Sequence, residues 1–215
     1  MSKIIDAQRD AYTPNFLVHG DTPQGVFLNN VVTQEVRFEC LLMPLLAAKP
    51  GRSTLHDVGS GTSAFYQYLL KHPELLARVE YSGTEIVPEM VATTTARFPE
   101  LVIKNRDLLT APADETYDFL VLSGVFNLPG TIPDADWRAW TFELTRKMYA
   151  MCRVGISINF LSSHRTFTDP ELCYIDPMDI FDFAMRELSP IVSIAPSGPL
   201  FEHTATILRP ESPAT

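Results

Sequence analysis

The sequence predicts an α/β unit built on a mostly parallel seven-stranded sheet, with an antiparallel C-terminal strand and helices on both faces. Three observations predict it. From residue 53 onward, strand-like apolar runs alternate with helical periodicity, the pattern of parallel strands joined by crossover helices. The first of those runs, STLHDV, passes directly into GSGTSA, a glycine turn of the kind that joins a ligand-binding strand to its helix. The last two apolar runs, Ile191 to Ala195 and His203 to Leu208, have only PSGPLFE between them. A turn of that length joins antiparallel neighbours and cannot hold a crossover.

Composition narrows the class. The chain has 215 residues, 46% of them hydrophobic, and a formal net charge of -9, so one domain with a substantial core is expected. Binding a phosphate backbone needs clustered Lys and Arg; none is visible, and nucleic acid is not an expected partner. No apolar run approaches the roughly 20 residues of a membrane span, and MSKIIDAQRD lacks the apolar core of a signal peptide. No membrane association and a cytoplasmic location are expected. Cys40, Cys152 and Cys173 lack metal-ligand spacing and read as packing residues in a reducing compartment, with no metal site.

The elements follow in order. Residues Asp6 to Asn30 hold turn formers and aromatics, among them Tyr12, Phe16, His19, Gly20, Asp21, Pro23 and Gly25, and read as a structured arm. From Val31 to Ala48 apolar residues recur at helical spacing, and Pro50 and Gly51 end that helix. Residues 1–50 are therefore expected to form an arm and helix that cap the substrate, 51–210 the cofactor-binding core, and 211–215 a flexible tail. Expected parallel strands are Ser53 to Val58, Val79 to Thr84, Leu101 to Lys104, Tyr117 to Leu122 and Val154 to Phe160. Helices are expected from Thr62 to about Lys71, from Pro88 to Arg97, from Asp134 (as cap) to Tyr149, and from Asp176 and Pro177 through Leu188. Trp137 and Trp140 lie three apart on one helix, which indicates packing or an oligomer contact, so a homodimer is among the expectations.

The glycine turn raises the question of which cofactor it serves. Gly59, Gly61 and Ala64 satisfy the loose dinucleotide pattern, which brings in an NAD-linked oxidoreductase as one alternative. Asp57, two residues before the first glycine, opposes it, because a carboxylate there would lie close to a pyrophosphate. S-adenosylmethionine has no phosphate and carries an ammonium and a sulfonium, so the same acid attracts it. Glu85 ends the second strand, where a carboxylate can take both hydroxyls of an adenosine ribose. After the third strand, Asp107 can accept from an adenine amino group while Leu108 packs on the ring. Three acids after three consecutive strands favour S-adenosylmethionine.

At these residues the sequence resembles the class I S-adenosylmethionine-dependent methyltransferases. HDVGSGTSAF is similar to their glycine-rich motif, with Ser63 where many members have a third glycine; YSGTEI, RDLL and YDFLVLSGVFNLP are similar to the motifs after their second, third and fourth strands. HGDTPQGVFLNN, QEVRFECLL, INFLSS and DPMDIFDFA further resemble a bacterial subgroup, some of whose members are associated with surface-polysaccharide or small-molecule pathways. The resemblance implies a Rossmann-like methyltransferase fold over Ser53 to Leu208. It implies S-adenosylmethionine as cofactor, held by Asp57, Gly59, Ser60, Gly61, Glu85, Ile86, Asp107, Leu108, Ser123 and Phe126; Arg37, from its helix, can reach the methionine carboxylate or stand as a solvated basic position.

Methyl transfer is an in-line displacement that needs alignment and exclusion of water. The expected acceptor is a small or sugar-type molecule, with O-methylation favoured; a catalytically silent cofactor-binding subunit is the other alternative. In an open sheet the acceptor lies beyond the carboxyl ends of the strands, so Asn127 after the fourth strand and His164 after the fifth are candidate catalytic groups. His164 is the first choice of base and His19, on the arm, the second. His56, inside the first strand, reads as a packed core histidine.

Overall fold

The structure, a computed structural model, describes residues 3–27, 31–197 and 201–210. Helices α1 (Lys3–His19) and α2 (Val31–Ala48) precede β1 (Ser53–Val58), α3 (Ala64–Lys71), α4 (Pro73–Leu76) and β2 (Val79–Glu85). Then come α5 (Pro88–Arg97), β3 (Val102–Asn105), β4 (Tyr117–Leu122), α6 (Asp134–Met151), β5 (Cys152–Leu161), α7 (Pro177–Glu187), β6 (Ile191–Pro196) and β7 (Glu202–Leu208). The tail 211–215, and residues 198–200 of the turn expected between the final strands, lie outside the described residues.

The seven strands form one sheet in the order β3-β2-β1-β4-β5-β7-β6. Strands β1 to β5 run parallel, and β7 is antiparallel to both β5 and β6. The single antiparallel strand matches the expectation; β7 enters between β5 and β6, its start paired with the end of β5 (Leu161 opposite Glu202).

Strand β4 is apolar on both faces because helices cover both. Its Phe119 and Val121 pack with Leu41 and Leu45 of α2 and Phe65 and Leu69 of α3. Its Leu120 and Leu122 pack on the other side with Trp137, Leu144 and Met148 of α6 and Ile180 of α7. Trp137 and Trp140 are therefore packing residues, 0% and 5% exposed, and the Trp137 Nε1–H donates to the Phe126 carbonyl. His56 is fully buried as expected, its ring nitrogens bonded to the hydroxyls of Ser82 and Thr84 at 2.9 and 2.7 Å.

Two expectations are corrected and a third is met. The arm before Gly20 is a 17-residue helix that continues through Pro14. Asp134 does not cap α6: Pro133 occupies that position and no side chain caps the helix. Asp176 does cap α7, accepting from the Met178 N–H at 2.8 Å. Among the described residues, no helix is long and apolar enough to cross a membrane.

Candidate active site

Beyond the carboxyl ends of the parallel strands lies a cavity of about 780 Å³, within the size range of small-molecule sites. Strand β1 delivers Asp57 to its wall and then turns through Gly59, Ser60 and Gly61, which also line it. Gly59 has φ +73° and a Cβ there would come within 2.3 Å of Val125 Cγ2, so only glycine fits. The turn is fastened to β2 by the amides of Gly59 and Ser60, both donating to the Thr84 carbonyl. Ser63, at the position where many members of the resembled family have a third glycine, takes the same left-handed conformation at φ +59°.

Three acids converge on this wall. Asp57 is 3% exposed, and burial pushes its carboxyl up to about 7, against the opposing hydrogen bond from the Tyr81 hydroxyl at 2.7 Å. Glu85 accepts from the backbone amides of Gly61, Ile86 and Val87 at 2.7–2.9 Å. Its pKa is raised by burial, with the amide donors opposing. The Asp107 side chain accepts from the Leu109 amide, which fixes it at the mouth of the cavity beside buried Leu108.

Helix α1 spans the cavity. Its Gln8 donates to the Leu128 carbonyl, after β4, at 2.6 Å, and its Arg9 Nε donates to the Ile86 carbonyl, after β2, at 2.8 Å. About one turn beyond them on the helix, Tyr12 lines the cavity. Burial raises its phenol pKa, with the Glu85 charge adding and the Arg37 charge opposing, which places the hydroxyl in the field of both. Asp21 ties the following turn down, accepting from Thr62 Oγ1 on the glycine turn and from Arg97 on α5.

The far side of the cavity is polar and buried. Arg37 of α2, 7% exposed, forms a forked ion pair with Glu202 at the start of β7, 4% exposed. Asn159 of β5 donates to the same carboxylate at 3.0 Å. Both Arg37 and Glu202 line the cavity.

The structure brings together on one wall Asp57, Gly59, Ser60, Gly61, Glu85, Ile86, Asp107, Leu108, Ser123 and Asn127. Of the other four, Phe126, His164 and His19 do not line the cavity. Phe126 is 1% exposed and stacks on Phe160 in the core, because an apolar ring leaving β4 is stabilised more by burial than at a wet rim. The His164 side chain is 76% exposed, 3.9 Å from Asp176 and off the cavity wall. His19 is also exposed and off the wall. Neither histidine is therefore positioned as a base. Arg37 does line the cavity but is engaged by Glu202, three strand spacings from β1, or about 14 Å. Its guanidinium is committed to the Glu202 carboxylate through Nε and Nη2. Sequence reasoning missed Tyr12, Tyr81 and Glu202. The spacing Ile5, Gln8, Tyr12, Phe16 is the helical signal that points to the first.

No family model matches the chain. A Mycobacterium tuberculosis protein, Rv1506c, itself assigned as a methyltransferase, is 29% identical over 159 residues, covering 73% of this chain and 93% of its own. The magnesium protoporphyrin IX methyltransferase of Synechocystis PCC 6803, solved with bound SAM, superposes with a TM-score of 0.66 at 14% identity, over 98% of this chain and 99% of that one. The chain has the fold of the class I methyltransferases. The N-methyltransferase NodS of Bradyrhizobium japonicum, solved with S-adenosyl-L-homocysteine, shares the methyltransferase fold at 13% identity, with a TM-score of 0.60 over 97% of this chain and 98% of its own. In the methyltransferase fold seen here, the glycine turn and the three acids lie on the β1–β2 side of the cavity and the Arg37–Glu202 pair on the β5–β7 side.

Proposed function

We propose that the protein transfers a methyl group from S-adenosylmethionine to a small or sugar-type acceptor, with a hydroxyl oxygen as the favoured nucleophile. The observation that carries this reading is the convergence of Asp57, Glu85 and Asp107 with the Gly59–Gly61 turn on one cavity wall. The residues present fit the cofactor. Asp57 is a buried carboxylate whose hydrogen-bond partner is a neutral phenol, so a cationic ammonium stabilises its ionised form. Ser60 Oγ is buried on the wall without a partner among the described residues. Glu85 and Asp107 stand where ribose hydroxyls and an adenine amino group would be received, and Leu108 offers an apolar surface for the ring. A pyrophosphate beside Asp57 and Glu85 would be repelled, which disfavours the dinucleotide alternative.

Bound here, S-adenosylmethionine supplies an electrophilic methyl group on a sulfonium. The chain's own residues orient and dehydrate. Asn127 Oδ1 is buried on the wall without a partner among the described residues and can accept from an acceptor hydroxyl, aiming its lone pair. Residues 1–50 act as the acceptor cap, a role supported by the anchors of α1 on both sides of the cavity and by the presence of Tyr12 on its wall. Calorimetry with S-adenosylhomocysteine tests the reading. Micromolar binding is expected, weakened at least 30-fold by Glu85→Ala; no binding at millimolar ligand would overturn it.

A further inference from the structure

The far wall of the cavity carries chemistry that a cofactor held at the glycine turn leaves unused. Glu202 takes three N–H donors, from Arg37 Nε, Arg37 Nη2 and Asn159 Nδ2. A carboxylate offers about four lone-pair sites, so one acceptor site remains. Arg37 Nη1 is buried and has no partner among the described residues. The pair thus leaves one unpartnered donor nitrogen and one acceptor site, with its charges cancelled within it. That is the complement of two neighbouring hydroxyls, each able to accept from one group and donate to the other.

The surroundings exclude charged oxyanions. The other cations on the cavity wall are committed elsewhere, Lys71 to Glu35 and Arg106 to Glu115, while Asp169 and Glu171 stand exposed at the rim. Next to Glu202 in the chain, Phe201 meets Phe167 edge to face at 5.6 Å, and both rings are partly exposed on the cavity wall at 37% and 59%. Large exposed rings at a cavity mouth mark a surface kept for a ligand. They offer flat apolar contact to the C–H face of a saturated ring whose hydroxyls reach the pair.

We infer that Arg37 and Glu202, with Phe201 and Phe167 at the rim, form the acceptor subsite and that it takes a neutral ring bearing adjacent hydroxyl groups. This rests on the methyltransferase reading above and names the class of its acceptor. The pair positions the acceptor; it does not exchange a proton with it. Glu202 is then the specificity-determining residue, because removing its charge leaves a buried guanidinium with an open N–H.

The test uses the full chain, first titrated with S-adenosylhomocysteine, then probed by saturation-transfer NMR with methyl α-D-glucopyranoside, glucose 6-phosphate and glucosamine. The neutral glycoside is expected to bind at least tenfold more tightly than the phosphate or the amine. Phe201→Ala should weaken it at least fivefold with cofactor-product affinity unchanged within twofold. Glu202→Gln should reverse the preference toward the phosphate, a change that a merely structural role would not produce. Should Glu202→Gln fail to fold, the double variant Arg37→Met, Glu202→Met replaces a buried ion pair by apolar volume, a change that folds tolerate; it should lose glycoside binding and keep S-adenosylhomocysteine. Equal or tighter binding of the phosphate or amine to the native protein, absence of glycoside binding, or variants that leave glycoside affinity unchanged would each overturn the inference. Absence of S-adenosylhomocysteine binding would instead overturn the methyltransferase reading.

Discussion

Asp57 is the residue whose chemistry differs most from its sequence appearance. Read in order along the chain it is an acid near the end of the first strand; in the structure it is a buried carboxyl whose pKa is pushed up to about 7 by desolvation, with Tyr81 pulling it partly back. Two consequences follow from the sign of that shift. A carboxyl whose folded pKa lies above its unfolded value of 3.8 costs stability as pH rises from about 4 to about 7 and nothing further above that. A cation bound beside it favours the ionised form, so S-adenosylhomocysteine affinity should fall by up to about tenfold for each pH unit below 7 and level off above about 8. Calorimetry across pH 5.5–8.5 reads this slope, and Asp57→Asn should flatten it. Tyr81→Phe removes the opposing hydrogen bond and should move the inflection to higher pH. None of this was visible in the sequence, because Tyr81 meets Asp57 only through the pairing of β1 with β2.

At the scale of elements, the turn after β1 and helix α1 teach different lessons. The strand, its two glycines and the following helix were legible because local chemistry dictates them: positive φ at Gly59 and Gly61 admits little else. Gly59→Ala should destabilise by at least about 2 kcal/mol, combining a left-handed Cβ penalty with the close approach to Val125. Ser63→Gly should be neutral or stabilising by up to about 1 kcal/mol, since it relieves the left-handed strain at a cost in chain entropy. Denaturant melts of the two variants check both values. Helix α1 was not legible. Pro14 interrupts its pattern, and its anchors, Gln8 on Leu128 and Arg9 on Ile86, are long-range contacts to loops that only the folded sheet brings near. The candidate bases failed for a related reason: residue type marked His164 and His19 as able to titrate near neutrality, but a loop's path decides whether a side chain faces the cavity or solvent.

For the molecule as a whole, the parallel strands and the antiparallel pairing at the end of the sheet were legible because alternating patterns and a short final turn encode them. The Arg37–Glu202 pair was not, since it joins α2 to β7 across the length of the chain. Two buried histidines also act globally. Burial lowers His56 to about 3 and His203 to about 4, the latter with both ring nitrogens lacking partners among the described residues. Groups kept neutral in the fold contribute stability that is fully present above the unfolded value of 6.5 and lost as pH falls toward those folded values. The histidine contribution to the thermal midpoint should therefore fall between pH 6.5 and 4, against the opposite contribution of Asp57 over the same range. His203→Leu should remove part of that slope, a share of about 2–3 kcal/mol at most, as scanning calorimetry at several pH values would show.

The Arg37–Glu202 pair joins positions 165 residues apart. A ribosome releases Arg37 well before Glu202 exists, and domains begin folding during synthesis from the N-terminal side. Throughout that interval the guanidinium has no counter-charge, and burying it alone would be strongly unfavourable. Helix α2 is therefore expected to settle onto the sheet only once β7 has paired with β5, which completes the side of the cavity that carries the pair.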